Sequence, residues 1–382
     1  MKWKIRITFG VIVYIAIHAV VTIVDNRQVI DRTEITSKKE YDGPLLMKDF
    51  DNENAHIIRS AVLIDSKLAT SNEDSILLRE ITNITYNMPS IPESFMKKFR
   101  QFAQKIHSES DDFLLFTLIN KVYLNLTLNW LCNVAKFKSR IHQKTLIVST
   151  DKSTCDKILA NWPTVSCINF AVPLGYNSVL YWGRQDYINL LTLRVQLLFA
   201  LTEMSIPFIL FETDSTWFRD PMQFFGNQKL VDDADIVVPV KGYFDMGQTI
   251  TFDPMIVYPT NGSHILFTEL KRRLLKDSRL FDQDVLDELC RYQYNGVICR
   301  NFEWDDIADG KWFRLADAER VSIKPYIVNN NNIVGVRDKM SRQALNGLWF
   351  LTPKGHCVIS KVENVLKKHS IIVQAKKKAK VE

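Results

Sequence analysis

From Asp112 onward, short apolar runs alternate with longer segments of helical period. Phe113–Ile119, Thr145–Ser149 and Ile168–Val172 have no polar face, as expected of strands covered on both sides in a parallel sheet. Tyr123–Lys138 and Tyr187–Met204 carry the spacing of amphipathic helices. Phe208–Phe211 forms a fourth strand that runs into Glu212. Asp235–Pro239, Phe252–Tyr258 and Val321–Val328 are later strands. Ser263 is placed to cap a helix reaching about Leu275, and Asp282–Arg291 reads as another. The alternation predicts an α/β fold with a mostly parallel sheet flanked by helices. Ser94–His107 is an amphipathic entry helix, and the chain beyond Asn329 is irregular until Trp349-Phe350-Leu351.

The first residues differ in kind. Lys2, Lys4 and Arg6 precede an uncharged run of 18 residues, Ile7–Val24, at the lower end of what spans a bilayer as a helix. Basic residues before it and Asp25 after it predict a transmembrane signal-anchor with residues 1–6 in the cytoplasm and the body in the lumen. The alternative is a cleaved signal peptide, whose apolar core is shorter, roughly 7–15 residues, and ends at a small-residue cleavage site. Residues 25–110 then read as a stem with entry helices, 111–360 as the main domain and 361–382 as a basic tail.

Composition adds little that is specific. A net charge of +6 comes partly from the lysines of the tail, with no interleaved aromatics and no binding motif, so a solvated tail is expected and no nucleic acid. The six cysteines are too few for a disulfide scaffold but compatible with bridges in an oxidising lumen. Cys155–Cys167 and Cys290–Cys299 are the nearest pairs in sequence, and connectivity stays open. Asn-x-Ser/Thr sequons stand at Asn83, Asn125 and Asn261, with Asn125 in a segment expected to be buried. No Gly-rich phosphate loop, GxSxG or HExxH is present, which disfavours ATPases, dinucleotide enzymes, serine hydrolases and zinc proteases.

Candidate chemistry concentrates after Phe208–Phe211. Glu212 and Asp214 lie two apart, so in an extended segment they share a side, and Asp220 follows. Open α/β sheets bind ligands at that edge, and converging carboxylates call for a divalent cation, as in sites where a metal holds a diphosphate. The bland alternative is that strand-end carboxylates cap the next turn. Arg194 sits in the apolar stripe Tyr187, Leu190, Leu197, Leu201 and needs an anionic partner, either a ligand or a structural carboxylate. Asp282, Gln283 and Asp284 open a helix, where acidic residues also serve the helix dipole. Asn129-Trp130 and Asn329–Asn332 are weaker candidates that loop structure would explain equally well.

Taken in order, these residues resemble the nucleotide-diphospho-sugar transferase family related to plant xylosyl- and arabinosyltransferases, which has nematode members. The resemblance runs through Asn129-Trp130, Arg194, Glu212-Thr213-Asp214, Trp217-Phe218-Arg219-Asp220-Pro221, Asp282-Gln283, Gly335, Lys339 and Leu348–Leu351, over roughly residues 112–352. It implies a GT-A type fold, a single-pass type II Golgi membrane protein, a UDP-sugar donor, Mn²⁺ or another divalent cation, a luminal glycan or glycoprotein acceptor and a retaining outcome. On that basis Asp214, Glu212 and Asn329 are the expected metal ligands. Glu212, Asp214, Arg194 and Asn129 are expected to bind the donor, and Asp282 and Gln283 to act at the reacting sugar. Three departures stand out: Glu212 replaces the first acid of an Asp-x-Asp, Phe252-Asp253-Pro254 replaces an Asn-x-Gly strand, and Asn329-Asn330 replaces a His-Asn pair. They motivate a rival reading, a luminal sugar- or partner-binding protein without turnover.

Overall fold

The structure, a computed structural model, describes residues 90–379 apart from 111, 173, 227–232 and 241–249. These belong to one compact unit, Tyr86–Glu382. The apolar run 7–24, the stem to residue 89 and Asn83 lie outside the described residues. Among the described residues no helix is long and apolar enough to cross a membrane.

Seven strands form the central sheet: β1 (Leu114–Ile119), β2 (Thr145–Ser149), β3 (Ser166–Asn169), β4 (Phe208–Leu210), β6 (Ile236–Pro239), β7 (Met255–Val257) and β8 (Cys299–Phe302). Their order is β3-β2-β1-β4-β7-β6-β8. All pairings are parallel except those of β7, which is antiparallel to both β4 and β6. A small second sheet joins β5 (Thr216–Trp217), β10 (Ile327–Val328) and β9 (Ile307–Ala308). The α/β expectation with a mostly parallel sheet therefore holds.

The two-residue period of the strands divides the core in two. Leu114, Phe116, Leu146, Phe208, Leu210 and Met255 face one layer, which includes helices α1 (Glu93–Ser110) and α4 (Gln185–Glu203). Leu115, Ile147, Ile209, Phe211 and Ile256 face the other, which includes α2 (Leu124–Val134) and the small sheet. Trp130 of α2 stacks on Phe211 at 4.3 Å and meets Trp217 edge-on at 5.3 Å. Because α1 buries Phe95, Phe99, Ala103 and Ile106 in the first core, the entry helix is part of the domain rather than of a spacer.

Several boundaries move. β3 begins at Ser166, earlier than expected, and Phe252–Pro254 is a bend with a cis Asp253–Pro254 bond ahead of β7. The helix Asn261–Lys276 is capped by Thr260, whose hydroxyl accepts from Ser263 N at 3.0 Å; Ser263 is its capping-box partner, not the cap. Asn125, expected to be buried, is exposed on α2. The stretch after Asn329 contains the helix Val336–Leu345, and the basic tail continues a helix, Ile359–Ala379. The first of these replaces the irregular stretch expected there, since its helical period carries few apolar positions. Three disulfides join Cys132–Cys357, Cys155–Cys167 and Cys290–Cys299.

Candidate active site

The strand order makes a crevice before any side chain is considered. The chain winds from β1 to β2 to β3 on one side, then returns through α4 to place β4 on the other side of β1. Such a switch point leaves the carboxyl ends of two adjacent strands diverging, and ligands of open α/β sheets bind there. Here those ends are Ile119-Asn120 and Phe211-Glu212. A narrow cavity of about 120 Å³ opens between them, lined by Thr117, Asn120, Tyr123, Glu212 and Thr213. A wider cleft of about 520 Å³ adjoins it, lined by Phe252, Asp253, Phe281–Asp284 and 331–335. Tyr123, Tyr187, Arg194, Glu212, Gly335 and Lys339 border both.

At this edge the acidic segment turns. Strand β4 ends at Leu210, and the Glu212 carbonyl accepts from Ser215 N at 3.3 Å and Ser215 Oγ at 2.8 Å. Glu212 and Asp214 therefore converge through a turn, not through an extended segment as the two-residue spacing suggested. Asp220 does not join them. It accepts from Ser139 N at 3.0 Å and Ser139 Oγ at 2.7 Å, so it fastens the segment to the turns that follow α2.

Arg194 donates to Glu212 Oε1 at 2.9 Å and to Asp282 Oδ2 at 2.6 Å, while its guanidinium lies over the Phe252 ring at 4.5 Å. Burial alone would lower its pKa, but Asp282 and Glu212 outweigh burial and hold it above the usual arginine value. The partners of the buried arginine are carboxylates of the protein, and both line the wider cleft. Asp282 also accepts from Gln283 N at 2.8 Å, which closes the first turn of its helix. With Asp282 fully buried and bound to Arg194, its geometry is that of a positioning anchor. Gln283 beside it is half-buried on the cleft wall.

Asp214 lies beneath the cleft floor, 1% exposed, with the Lys339 ammonium on its Oδ2. Gln343 donates to the Asp214 carbonyl at 2.6 Å from the same helix. Burial pushes the Asp214 carboxyl up, against the pull of Lys339. Lys339 is held well above the usual lysine value, because Asp214, Tyr123 and Glu212 outweigh its own burial. Tyr123 is pushed up to about 12, by burial first and only partly offset by Lys339.

Asp253 is the site residue that the sequence did not single out. It is buried on the cleft, and burial, then Glu212 and Asp214, raise it well above the usual carboxylate value. The available signal was its place in the Phe-Asp-Pro departure. Asn329 donates to the Asp253 carbonyl, and its Oδ1 is buried without a partner. Asn129 lies elsewhere. It donates to the Leu348 carbonyl at 3.0 Å and to Gln343 at 3.3 Å, and accepts from Phe350 N at 2.6 Å. All of its capacity goes to tying α2 to the Leu348–Leu351 segment, so its place is in the scaffold and not on the cleft.

Among the described residues, no three His, Cys, Asp or Glu side chains already converge as a cage for a metal. The donor chemistry nevertheless fits a hard divalent cation. Glu212, Asp214, Asp253 and Asp282 outnumber the cations Arg194 and Lys339, and the Asn329 side chain that donates to the Asp253 carbonyl carries an Oδ1 without a partner. Cations of this class are held by one or two carboxylates, with substrate phosphates supplying the rest.

Residues 140–343 match the family described as nucleotide-diphospho-sugar transferase. An Arabidopsis thaliana relative, UDP-D-xylose:L-fucose alpha-1,3-D-xylosyltransferase, is 24% identical over 259 residues, covering 61% of this chain and 68% of its own. A second, UDP-D-xylose:L-fucose alpha-1,3-D-xylosyltransferase 1, is 24% identical over 260 residues, covering 61% and 69%. Among solved structures, the apo form of mouse xyloside xylosyltransferase 1 aligns with a TM-score of 0.38 and 12% identity over 59% of this chain and 99% of that one. Galactosyltransferase LgtC with donor and acceptor sugar analogs aligns with a TM-score of 0.40 and 9% identity over 63% and 97%. The chain belongs to the nucleotide-diphospho-sugar transferase family.

Proposed function

We propose that this chain transfers a sugar from a nucleotide-diphospho-sugar, a UDP-sugar by analogy with the names of the Arabidopsis relatives, to a hydroxyl of a luminal glycan or glycoprotein. The observation that carries the reading is the cluster Glu212–Arg194–Asp282 with Asp214–Lys339 at the β1/β4 switch point. The nucleoside fits the narrow cavity at the strand ends, and the diphosphate the border that Lys339 shares with the wider cleft. In the reaction the bond between the anomeric carbon and the phosphate oxygen breaks. A bond forms from that carbon to the acceptor oxygen, and the hydroxyl proton is lost. Charge accumulates on the departing diphosphate, so fixed positive groups at that point are what the step needs. Lys339 reaches the border from the first turn of Val336–Leu345, whose N-terminal N–H groups also favour an anion. Arg194 keeps Glu212 and Asp282 in place. A divalent cation held by Glu212 and Asp214, with the Asn329 oxygen near, would supply further charge neutralisation.

A single-pass type II Golgi location with residues 7–24 as anchor is part of the same proposal. The pairing of all six cysteines supports an oxidising compartment. One observation favours the rival without turnover: Glu212 and Asp214, the two acids assigned to the metal, already pair with Arg194 and Lys339.

A screen of UDP-sugars with the purified chain, in Mn²⁺ and in EDTA, decides between them. The expected result is UDP release from one donor, abolished by Asp214→Asn and by Lys339→Met. Binding of UDP without turnover on any donor selects the rival. Absence of UDP binding in both buffers removes the nucleotide-sugar reading.

A further inference from the structure

The outer lip of the wider cleft carries apolar surface that packing within the chain does not use. Scattered exposed apolar residues are ordinary, but a cluster beside a pocket is informative. Among the described residues seven large hydrophobic side chains are exposed, and Val179, Trp182 and Val334 line the two cavities. Trp182 is 66% exposed, and Tyr181 beside it 58%. The indole is held in a fixed attitude: it stacks on Phe281, with ring centroids 5.0 Å apart and planes 19° apart. Tyr187 supports Phe281 from behind at 6.4 Å. The result is a flat aromatic shelf with one free face, immediately followed in sequence by Asp282 and Gln283.

This combination matches one ligand chemistry. A pyranose ring has a face of C–H bonds that packs on an aromatic ring and a rim of hydroxyls that needs carboxylate or amide partners. Sites for such molecules set aromatic walls beside a few placed polar groups. We propose that the Trp182–Phe281 shelf binds the acceptor, by stacking a pyranose ring on the indole with its hydroxyl rim toward Gln283. The inference rests on the glycosyltransferase reading and specifies its acceptor subsite. The acceptor is favoured over the donor because Trp182 is 66% exposed and lines the wider cleft alone, whereas Lys339 and Glu212, assigned to the diphosphate, are less exposed and border both cavities. A nucleobase would also stack on an indole, and the experiment separates the two.

Saturation-transfer NMR with a panel of methyl pyranosides is run on the chain, Trp182→Ala and Trp182→Phe, with thermal melting to verify folding. Kinetics on the active donor follow. The expected result is pyranoside signal with the native chain and Trp182→Phe but not Trp182→Ala. Acceptor KM rises about tenfold in Trp182→Ala, with donor KM little changed. Pyranoside signal that persists in Trp182→Ala overturns the shelf even if transfer is intact, and so does a rise in donor KM alone, which would assign the indole to the nucleobase. Loss of pyranoside signal in Trp182→Ala in a chain with no turnover upholds the shelf while the transferase reading falls.

Discussion

At the scale of single residues, the site is organised by two buried cations. Arg194 illustrates the asymmetry of buried ion pairs: forming them is close to neutral, but removing one partner strands the other. Arg194→Ala leaves Asp282, 2% exposed, without its counter-charge. We expect a loss of about 3–5 kcal/mol in urea unfolding, with partial recovery when Asp282→Asn is added. Additive losses in the double variant would show that the pair is not coupled. Lys339 is different, since it borders both cavities while its ammonium sits on Asp214.

At the scale of elements, the second core is closed by segments far apart in sequence. The Cys132–Cys357 bridge spans 225 residues and ties α2 to the segment after Leu351, in parallel with the Asn129 hydrogen bonds. Replacing both cysteines by serine is expected to cost about 2–5 kcal/mol in reversible unfolding; an unchanged midpoint would mean that the hydrogen bonds alone suffice. The last helix is held by Val362 and by His369, whose ring stacks on Phe218 at 3.8 Å. Burial, then Lys368 and Arg219, lower His369 from 6.5 to about 4. The sign follows from proton counting. Above pH 6.5 the imidazole is neutral in both states. As pH falls toward 4 the unfolded chain takes up a proton that the folded chain refuses, so stability is lost over that window and no further below it. The loss is roughly 3 kcal/mol, and His369→Phe should flatten the melting profile between those limits.

For the whole molecule, a ligand that binds only the folded chain adds stability by mass action. UDP at 100 times its Kd is expected to add about 2.7 kcal/mol, with uridine adding less because it lacks the diphosphate. Differential scanning calorimetry with and without Mn²⁺ measures this directly. Equal shifts from UDP and uridine would place recognition in the nucleoside alone and remove the diphosphate role of Lys339.

The order of strands and helices, the buried character of the sheet and the acidic cluster after β4 were legible in the chain itself, because each depends on spacing within a few residues. Arg194 was legible as a buried charge, since a cation in an apolar stripe has to find a partner. Its partners were not: Asp282 lies 88 residues away, and Lys339 lies 125 residues from Asp214. No local period encodes such distances. The same reason explains why the hydrogen bonds of Asp220 to Ser139 and of Asn129 to the Leu348–Leu351 segment could not be foreseen, and why Asp253 was noted only as part of a departure from the family pattern. It also explains why Trp182 and Phe281, from separate loops, form one shelf. Local patterning determined which residues could do chemistry; the meeting of distant segments at the switch point decided which of them face one another.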